Sequence, residues 1–293
     1  MSVLLISEAF ELYKREAILF KNQSAKTAEM NDLACKSLLS STEDIPISEL
    51  TFEMIVAWKE KLLYGRSQNT ARGYLIKLRN VLRHLALRGY AVLNYELISL
   101  PKRTATPIDF LTEDEVSQLL NCVFTPQAGY NTLNRYRNRA MIALLYSSGI
   151  RVSELCSLDR LSIRSDRTFT IFGKGNKPRL CFVDERAYKA ITEYLDKRTD
   201  RNKALFISHQ NGKRITKCVV QMMFRYATDR MGYPKPIHPH MLRHSFATNL
   251  LENNTNLYYV SKFLGHSSVQ TTEMYLHYKD PDLKKLYTEK HTI

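Results

Sequence analysis

The chain has 293 residues, 44% of them hydrophobic, with ten glycines and nine prolines. That length exceeds one ordinary core and points to two domains, and the composition is globular, which excludes a disordered chain. The net charge of +14 is shared by both parts of the chain, with 15 basic and 11 acidic residues up to position 105 and 28 and 18 after it. A surplus of that size attracts polyanions, nucleic acid first among them. Five cysteines, at 35, 122, 156, 181 and 218, form no C-x-x-C pair. That argues against a disulfide framework or thiolate zinc site and suits a reducing cytoplasm. The longest clean apolar run, MIALLY at 141–146, is far short of a membrane span, and the opening MSVLLISEAFELYKRE lacks the basic segment of a secretion signal.

Residues 1–98 read as helices only, at about 3–20, 26–40, 51–64 and 68–89, with a short one near 94–98. Thr51 is placed as an N-cap. In the fourth segment Tyr74, Leu75, Leu78, Val81, Leu82 and Leu85 follow a 3.6-residue period and make one apolar face. Arg72, Arg79 and Arg83 line another face, with Lys77 and Arg88 beside them, and no acidic residue occurs between Glu60 and Glu96. A solvated face normally mixes signs, so an all-positive one suits phosphate contact. LPKRTATPIDFLTEDEV (100–116) reads as a linker, and Thr112 with Glu115 forms a capping box that opens a new helix. The boundary falls near 101–108, giving domains 1–103 and 104–293.

The second part is mixed. RYRNRAMIALLYSSGIRVSELCSL reads as a long helix stopped by Gly149, then a further turn. RTFTIFGKGNKPRLCFVD reads as a β-hairpin with strands at about 168–172 and 179–183 and Gly173, Gly175 and Pro178 in the turn. Helices follow at about 185–197, 216–231, 239–253, 256–264 and 268–277, with a tail helix near 281–289.

The polar residues of HPHMLRHSFATNLLENN (238–254) are not what core packing asks for. Pro239 suits the first position of a helix, which sets His240, Arg243 and His244 on one face. H-x-H-x-x-x-H has plausible metal-ligand spacing but lacks the glutamate of H-E-x-x-H. The competing reading is a phosphate site in which Arg243 forks two oxygens with a histidine beside it. His244 reads as a structural histidine. Elsewhere Arg151 follows a glycine-stopped helix with Glu154 three residues on, Lys174 lies at the hairpin tip between two glycines, and His266 follows Gly265 with Tyr275 nine residues later.

Together, GIRVSEL, GKGNKPR, HPHMLRHSFAT, LGHSS and TTEMYLHY, in this order, resemble the tyrosine recombinase (phage integrase) family and its Xer-like members. The motifs span 149–278, and the helical N-terminal part and the linker fit as well. The resemblance implies a mainly α fold with a small β-hairpin in the second domain. It implies a helical core-binding DNA domain and a mixed α/β catalytic domain that form a C-shaped DNA clamp. The implied function is site-specific DNA cleavage and rejoining through a 3′-phosphotyrosyl intermediate, in an Xer-like enzyme acting in chromosome segregation or in a mobile-element integrase. Tyr275 is then the nucleophile, Arg151 and Arg243 clamp the phosphate, and Lys174 is the general acid. His240 is the base or proton shuttle, His266 a hydrogen-bond donor to the phosphate and Glu154 an orienting residue. Tyr278 and Tyr287 rival Tyr275, and Lys177 rivals Lys174. The DNA contacts fall to Arg72, Lys77, Arg79, Arg83 and Arg88. No cofactor and no metal are implied. The partner is double-stranded DNA, bound by a homotetramer on two duplexes that is a monomer in free solution, with no membrane and with any accessory motor unidentified. The tail 276–293 agrees only loosely with the family and packs either in cis or into a neighbouring subunit. A type IB topoisomerase-like relaxing enzyme and a catalytically idle DNA-binding regulator are the alternative readings.

Overall fold

The computed structural model describes residues 3–21, 23, 25–104, 108–126, 131–172, 178–265 and 270–273. Among the described residues it is mostly helical with one two-stranded sheet, and the chain divides into two compact units, Met1–Thr106 and Pro107–Ile293. Among the described residues no helix is long and apolar enough to cross a membrane.

The first unit holds α1 (Ile6–Lys21), α2 (Ala25–Leu39), α3 (Phe52–Gly65) and α4 (Gln68–Leu87). Side-chain caps begin the last two. Thr51 Oγ1 accepts from the Met54 amide at 3.3 Å and Ser67 Oγ from the Thr70 amide at 3.2 Å. Each supplies a partner to a first-turn amide that the helix itself leaves without one. The buried face of α4 is Ala71, Tyr74, Leu75, Leu78, Val81, Leu82 and Leu85, the stripe its periodicity predicts. It packs against α1, α2 and α3 in a core that also holds Phe10, Leu38, Ile55 and the fully buried Trp58. A 3-10 turn at Ile47–Glu49 carried no periodic signal. It follows Pro46, which pairs with Leu5 across the unit.

The second unit begins with α5 (Glu113–Phe124), opened by the expected capping box. Thr112 Oγ1 accepts from the Glu115 amide, and the Thr112 amide donates to Glu115 Oε2 at 2.8 Å. Then come α6 (Thr132–Ser148), α7 (Val152–Ser157), β1 (Thr168–Phe172), β2 (Pro178–Phe182), α8 (Glu185–Asp196) and α9 (Lys217–Met231). After them, among the described residues, stand α10 (Pro239–Glu252), α11 (Leu257–Leu264) and α12 (Gln270–Glu273). Helix α6 is the centre of this unit. Its residues from Ala140 to Leu145 are all buried, and α5, α8 and α10 pack on it.

The strands pair antiparallel, Thr168 opposite Phe182 and Phe172 opposite Pro178. Phe169, Ile171 and Cys181 face the core, as the two-residue period of a strand requires. Pro178 therefore begins β2 and does not sit in the turn, a correction of one residue. A strand's first position tolerates the missing amide. The expected turn residues Gly173 and Gly175, the flanks of the expected 268–277 helix and the tail helix lie outside the described residues.

Candidate active site

The first corner of the site forms where α6 ends. Gly149 has φ +61° and lets the chain reverse into α7 with Arg151 at its N-cap. Glu154, at the third helical position, accepts from the Arg151 amide at 2.7 Å and from Arg151 Nη1 at 3.1 Å. Arg179, arriving from β2, donates Nη2 to the same carboxylate at 3.0 Å. Burial pushes the Glu154 carboxyl up, but the Arg151 amide and the charges of Arg179 and Arg151 outweigh it, and its pKa falls below the ordinary 4.5. Glu154 is thus an ionised, buried anchor. The Arg151 side chain that it holds stays 38% exposed, open to an incoming anion.

The second corner is Arg243 on α10, 2% exposed. Nη1 donates to the Gly149 carbonyl and Nη2 to the Leu264 carbonyl, both at 2.6 Å. These carbonyls belong to the C-terminal ends of α6 and α11, where helix dipoles concentrate partial negative charge. The α11 end also turns through a left-handed glycine, Gly265, with φ +64°. One planar guanidinium therefore fastens the turn before Arg151 to the turn that leads to His266. Neither glycine has room for a side chain, since a Cβ at Gly149 would run into the Phe246 ring and one at Gly265 into Arg179.

The histidines of the 238–244 segment separate into distinct roles. His238 is the N-cap of α10, its Nδ1 accepting from the Met241 amide at 3.3 Å, with Pro239 in the first turn. His240 keeps a solvent-exposed edge but is crowded by protein. Desolvation first, then the charges of Arg243, His238 and Arg151, lower its pKa below 6.5. It is a neutral imidazole near pH 7, able to accept a proton. His244 is half-buried, its ring centroid 5.0 Å from that of His240. Among the described residues no group of three or more His, Cys, Asp or Glu side chains is placed to hold a metal ion.

Arg151, Glu154, His240 and Arg243 are thus brought together from α7 and α10. Lys174, His266 and Tyr275, with the rivals Lys177, Tyr278 and Tyr287, lie outside the described residues. Arg179 is a site residue that motif and spacing alone do not single out, although it stands in GKGNKPR. A usable signal was present. Arg179 and Cys181 are two apart on one strand, so a cationic residue shares the inward face of a core position.

On α4 the basic residues differ in their partners. Arg72 Nη1 donates to the Pro101 carbonyl at 2.6 Å, and Arg88 pairs with Glu16 of α1. Lys77 is partly desolvated, which lowers its pKa. Arg79 and Arg83 line a shallow hollow with Ile76, Asn80, Tyr95 and Leu100.

The family model described as the phage integrase family matches residues 109–281. A tyrosine recombinase XerD of Oceanobacillus iheyensis is 37% identical over 202 residues, 66% of each chain. A tyrosine recombinase XerD of Staphylococcus epidermidis is 32% identical over 235 residues, 78% of each chain. Among solved structures, the integrase of the Tn1549 transposon in complex with transposon right end DNA superposes with a TM-score of 0.78 at 18% identity, covering 96% of this chain and 98% of that one. The fold, the motif order and a family match over more than half of the sequence agree, and the chain belongs to the phage integrase family as a tyrosine site-specific recombinase of the Xer-like kind.

Proposed function

We propose that the chain cuts and rejoins double-stranded DNA with Tyr275 as nucleophile and with Arg151, Lys174, His240, Arg243 and His266 around the scissile phosphate. The Tyr275 oxygen attacks phosphorus and forms a 3′-phosphotyrosyl ester. Its proton passes to His240, and the departing 5′ oxygen takes a proton from Lys174 and leaves as a hydroxyl. Arg151 and Arg243 stabilise the charge that grows on the non-bridging oxygens, and His266 adds a hydrogen bond to them. The ester keeps the energy of the original phosphodiester, so the reverse steps rejoin a strand without ATP. Two fixed guanidiniums and a lysine supply the electrostatic work, so the proposed chemistry needs no cofactor. The first unit, through Arg79, Arg83 and the neighbouring basic residues of α4, holds the duplex, and the second carries out the chemistry.

The observation that most supports this reading is the Arg243 side chain, joined to the Gly149 and Leu264 carbonyls. It draws together the segments that lead in sequence to Arg151 and to His266. A cluster of fixed cations beside a neutral imidazole suits a pentavalent phosphate centre. The XerD relatives favour an Xer-like recombinase over a mobile-element integrase. A cytoplasmic homotetramer acting on two duplexes in chromosome segregation completes the reading.

The test is covalent trapping. Full-length protein is mixed with a nicked duplex that carries the recombination site and is run on a denaturing gel. The expected result is a protein–DNA adduct that survives EDTA and disappears in Tyr275→Phe while DNA binding persists. An adduct that remains in Tyr275→Phe moves the nucleophile to another tyrosine, and complete loss in EDTA restores the metal reading of the histidines. Relaxation of supercoiled plasmid that lacks any site would favour the topoisomerase-like alternative.

A further inference from the structure

Arg179 stands outside the residues given chemical roles above, and its surroundings set it apart from an ordinary strand residue. Its neighbours Pro178 and Leu180 face solvent, whereas its own side chain is only 10% exposed. Among the described residues its contacts include the following. Nη2 donates to Glu154 Oε2 at 3.0 Å, Nε donates to Cys181 Sγ at 3.4 Å, and Cδ with Nη1 lies so close to Gly265 that a Cβ there has no room. Glu154 Oε2 is also the oxygen that accepts from the Arg151 amide, and Oε1 accepts from Arg151 Nη1. A continuous chain of contacts therefore runs from the Gly265 turn through Arg179 and Glu154 to Arg151.

Arg151 and Glu154 are three residues apart on one short helix, and by themselves they make a pair open to solvent on one side. The second guanidinium changes this. With both oxygens engaged from two directions, the Glu154 carboxylate cannot rotate without breaking a charge-assisted bond. A guanidinium is the group for this task. Its planar fork serves Glu154 and Cys181 at once while Nη1 and Cδ fill the space beside Gly265, which a lysine ammonium cannot reproduce.

We infer that Arg179 is a positioning residue for strand cleavage. It locks Glu154 in the orientation that aims Arg151, and it sets the seat of the Gly265 turn that leads in sequence to His266. The inference rests on the reading of Arg151 as a phosphate clamp. It gives β2 a second purpose beyond carrying the hairpin, since the strand is tied to the α7 corner by the largely buried Arg179 side chain.

The experiment is single-turnover cleavage of the nicked duplex at saturating DNA by full-length Arg179→Gln and Arg179→Lys, with the duplex Kd measured alongside. Misplacement of a clamp by about 1 Å costs on the order of 100-fold in rate, and Arg179→Gln is expected to lose about that much with Kd within about twofold of the parent. Arg179→Lys, which keeps the charge and loses the fork, is expected between the two. The pair Glu154→Gln/Arg179→Gln is expected to lose less than the product of the two single losses, because the residues share the Glu154–Arg179 bond while the Gly265 contact belongs to Arg179 alone. A folded Arg179→Gln that cleaves within threefold of the parent overturns the inference. So does a weakened Kd with an unchanged rate, or a double variant whose losses simply multiply. If Arg179→Gln does not fold by thermal melt, Arg179→Lys decides, and a parental rate in that folded variant is equally fatal. Arg151→Ala is run beside them. If it cleaves normally, the clamp reading falls and the inference with it. If it is dead while the Arg179 variants are normal, only the inference falls.

Discussion

An imidazole accepts a proton only while it is neutral, and His240 is held in that form. Desolvation and the nearby charges of Arg243, His238 and Arg151 lower its pKa below 6.5. The acid-side fall in the rate of strand cleavage, as His240 takes up its proton, is therefore expected at a lower pH than an ordinary histidine would give. His240→Gln should lower the plateau and remove that acid limb, as read from single-turnover rates across pH. Stability carries the same sign. The unfolded chain protonates His240 near its ordinary value and the folded chain resists, so folding loses stability as pH falls through 6.5 toward the lower folded value. Little of this was legible in the sequence. The spacing puts a histidine and an arginine on one face of a helix, but the neutrality of His240 depends first on its desolvation by packed segments and only then on the charges of Arg243, His238 and Arg151. Three histidines in seven residues also invited a metal reading, and only the placement of His238 as a helix cap explains the first of them.

At the level of elements, the glycine stops were the most legible features, and their consequences the least. Gly149 and Gly265 end helices in the left-handed region, as their positions after periodic segments predict. Gly232 does the same after α9, but a Cβ there would meet nothing within 4 Å, whereas at Gly149 it would meet the Phe246 ring. A left-handed alanine costs roughly 1–2 kcal/mol by backbone alone. Gly232→Ala is expected to show about that loss in a denaturant melt, and Gly149→Ala a larger one, because the Phe246 ring carried by α10 must move. Gly149→Ala should also slow cleavage, since its carbonyl is an anchor of Arg243. Equal melts for the two variants would show that the Phe246 contact carries no energy. The hairpin shows a related limit. Its strands were legible from alternation, but Pro178 was placed in the turn because proline reads as a breaker, while strand pairing only requires that its missing amide fall where no partner waits.

For the whole molecule, the surplus of positive charge is a statement about salt. Each phosphate neutralised by a side chain adds about 0.9 to the magnitude of the slope of log K against log salt on a duplex. Arg79 and Arg83 line one hollow on α4. Arg79→Ala and Arg83→Ala are each expected to flatten that slope by about 0.9 while cleavage at saturating DNA continues. An unchanged slope in both would take α4 away from the DNA. Arg72 and Arg88 looked equivalent to them in the sequence, but one is bound to the Pro101 carbonyl and the other to Glu16. Counting charges on a helix face does not reveal which of them the fold already uses.

The sequence by itself determined the Thr51 cap and the Thr112 capping box, the stops at Gly149 and Gly265, the stripe of α4 and the ordered motifs that identify the family. Tertiary structure alone decided that Arg243 grips the Gly149 carbonyl 94 residues away, that Arg179 shares Glu154 with Arg151, and that His240 is neutral. The division has a physical cause. Helix and strand signals arise between residues a few positions apart, so a short stretch of chain carries them whole. A buried ion pair or a shifted pKa depends on distances between segments that meet only after packing, and a one-dimensional string holds no record of those distances.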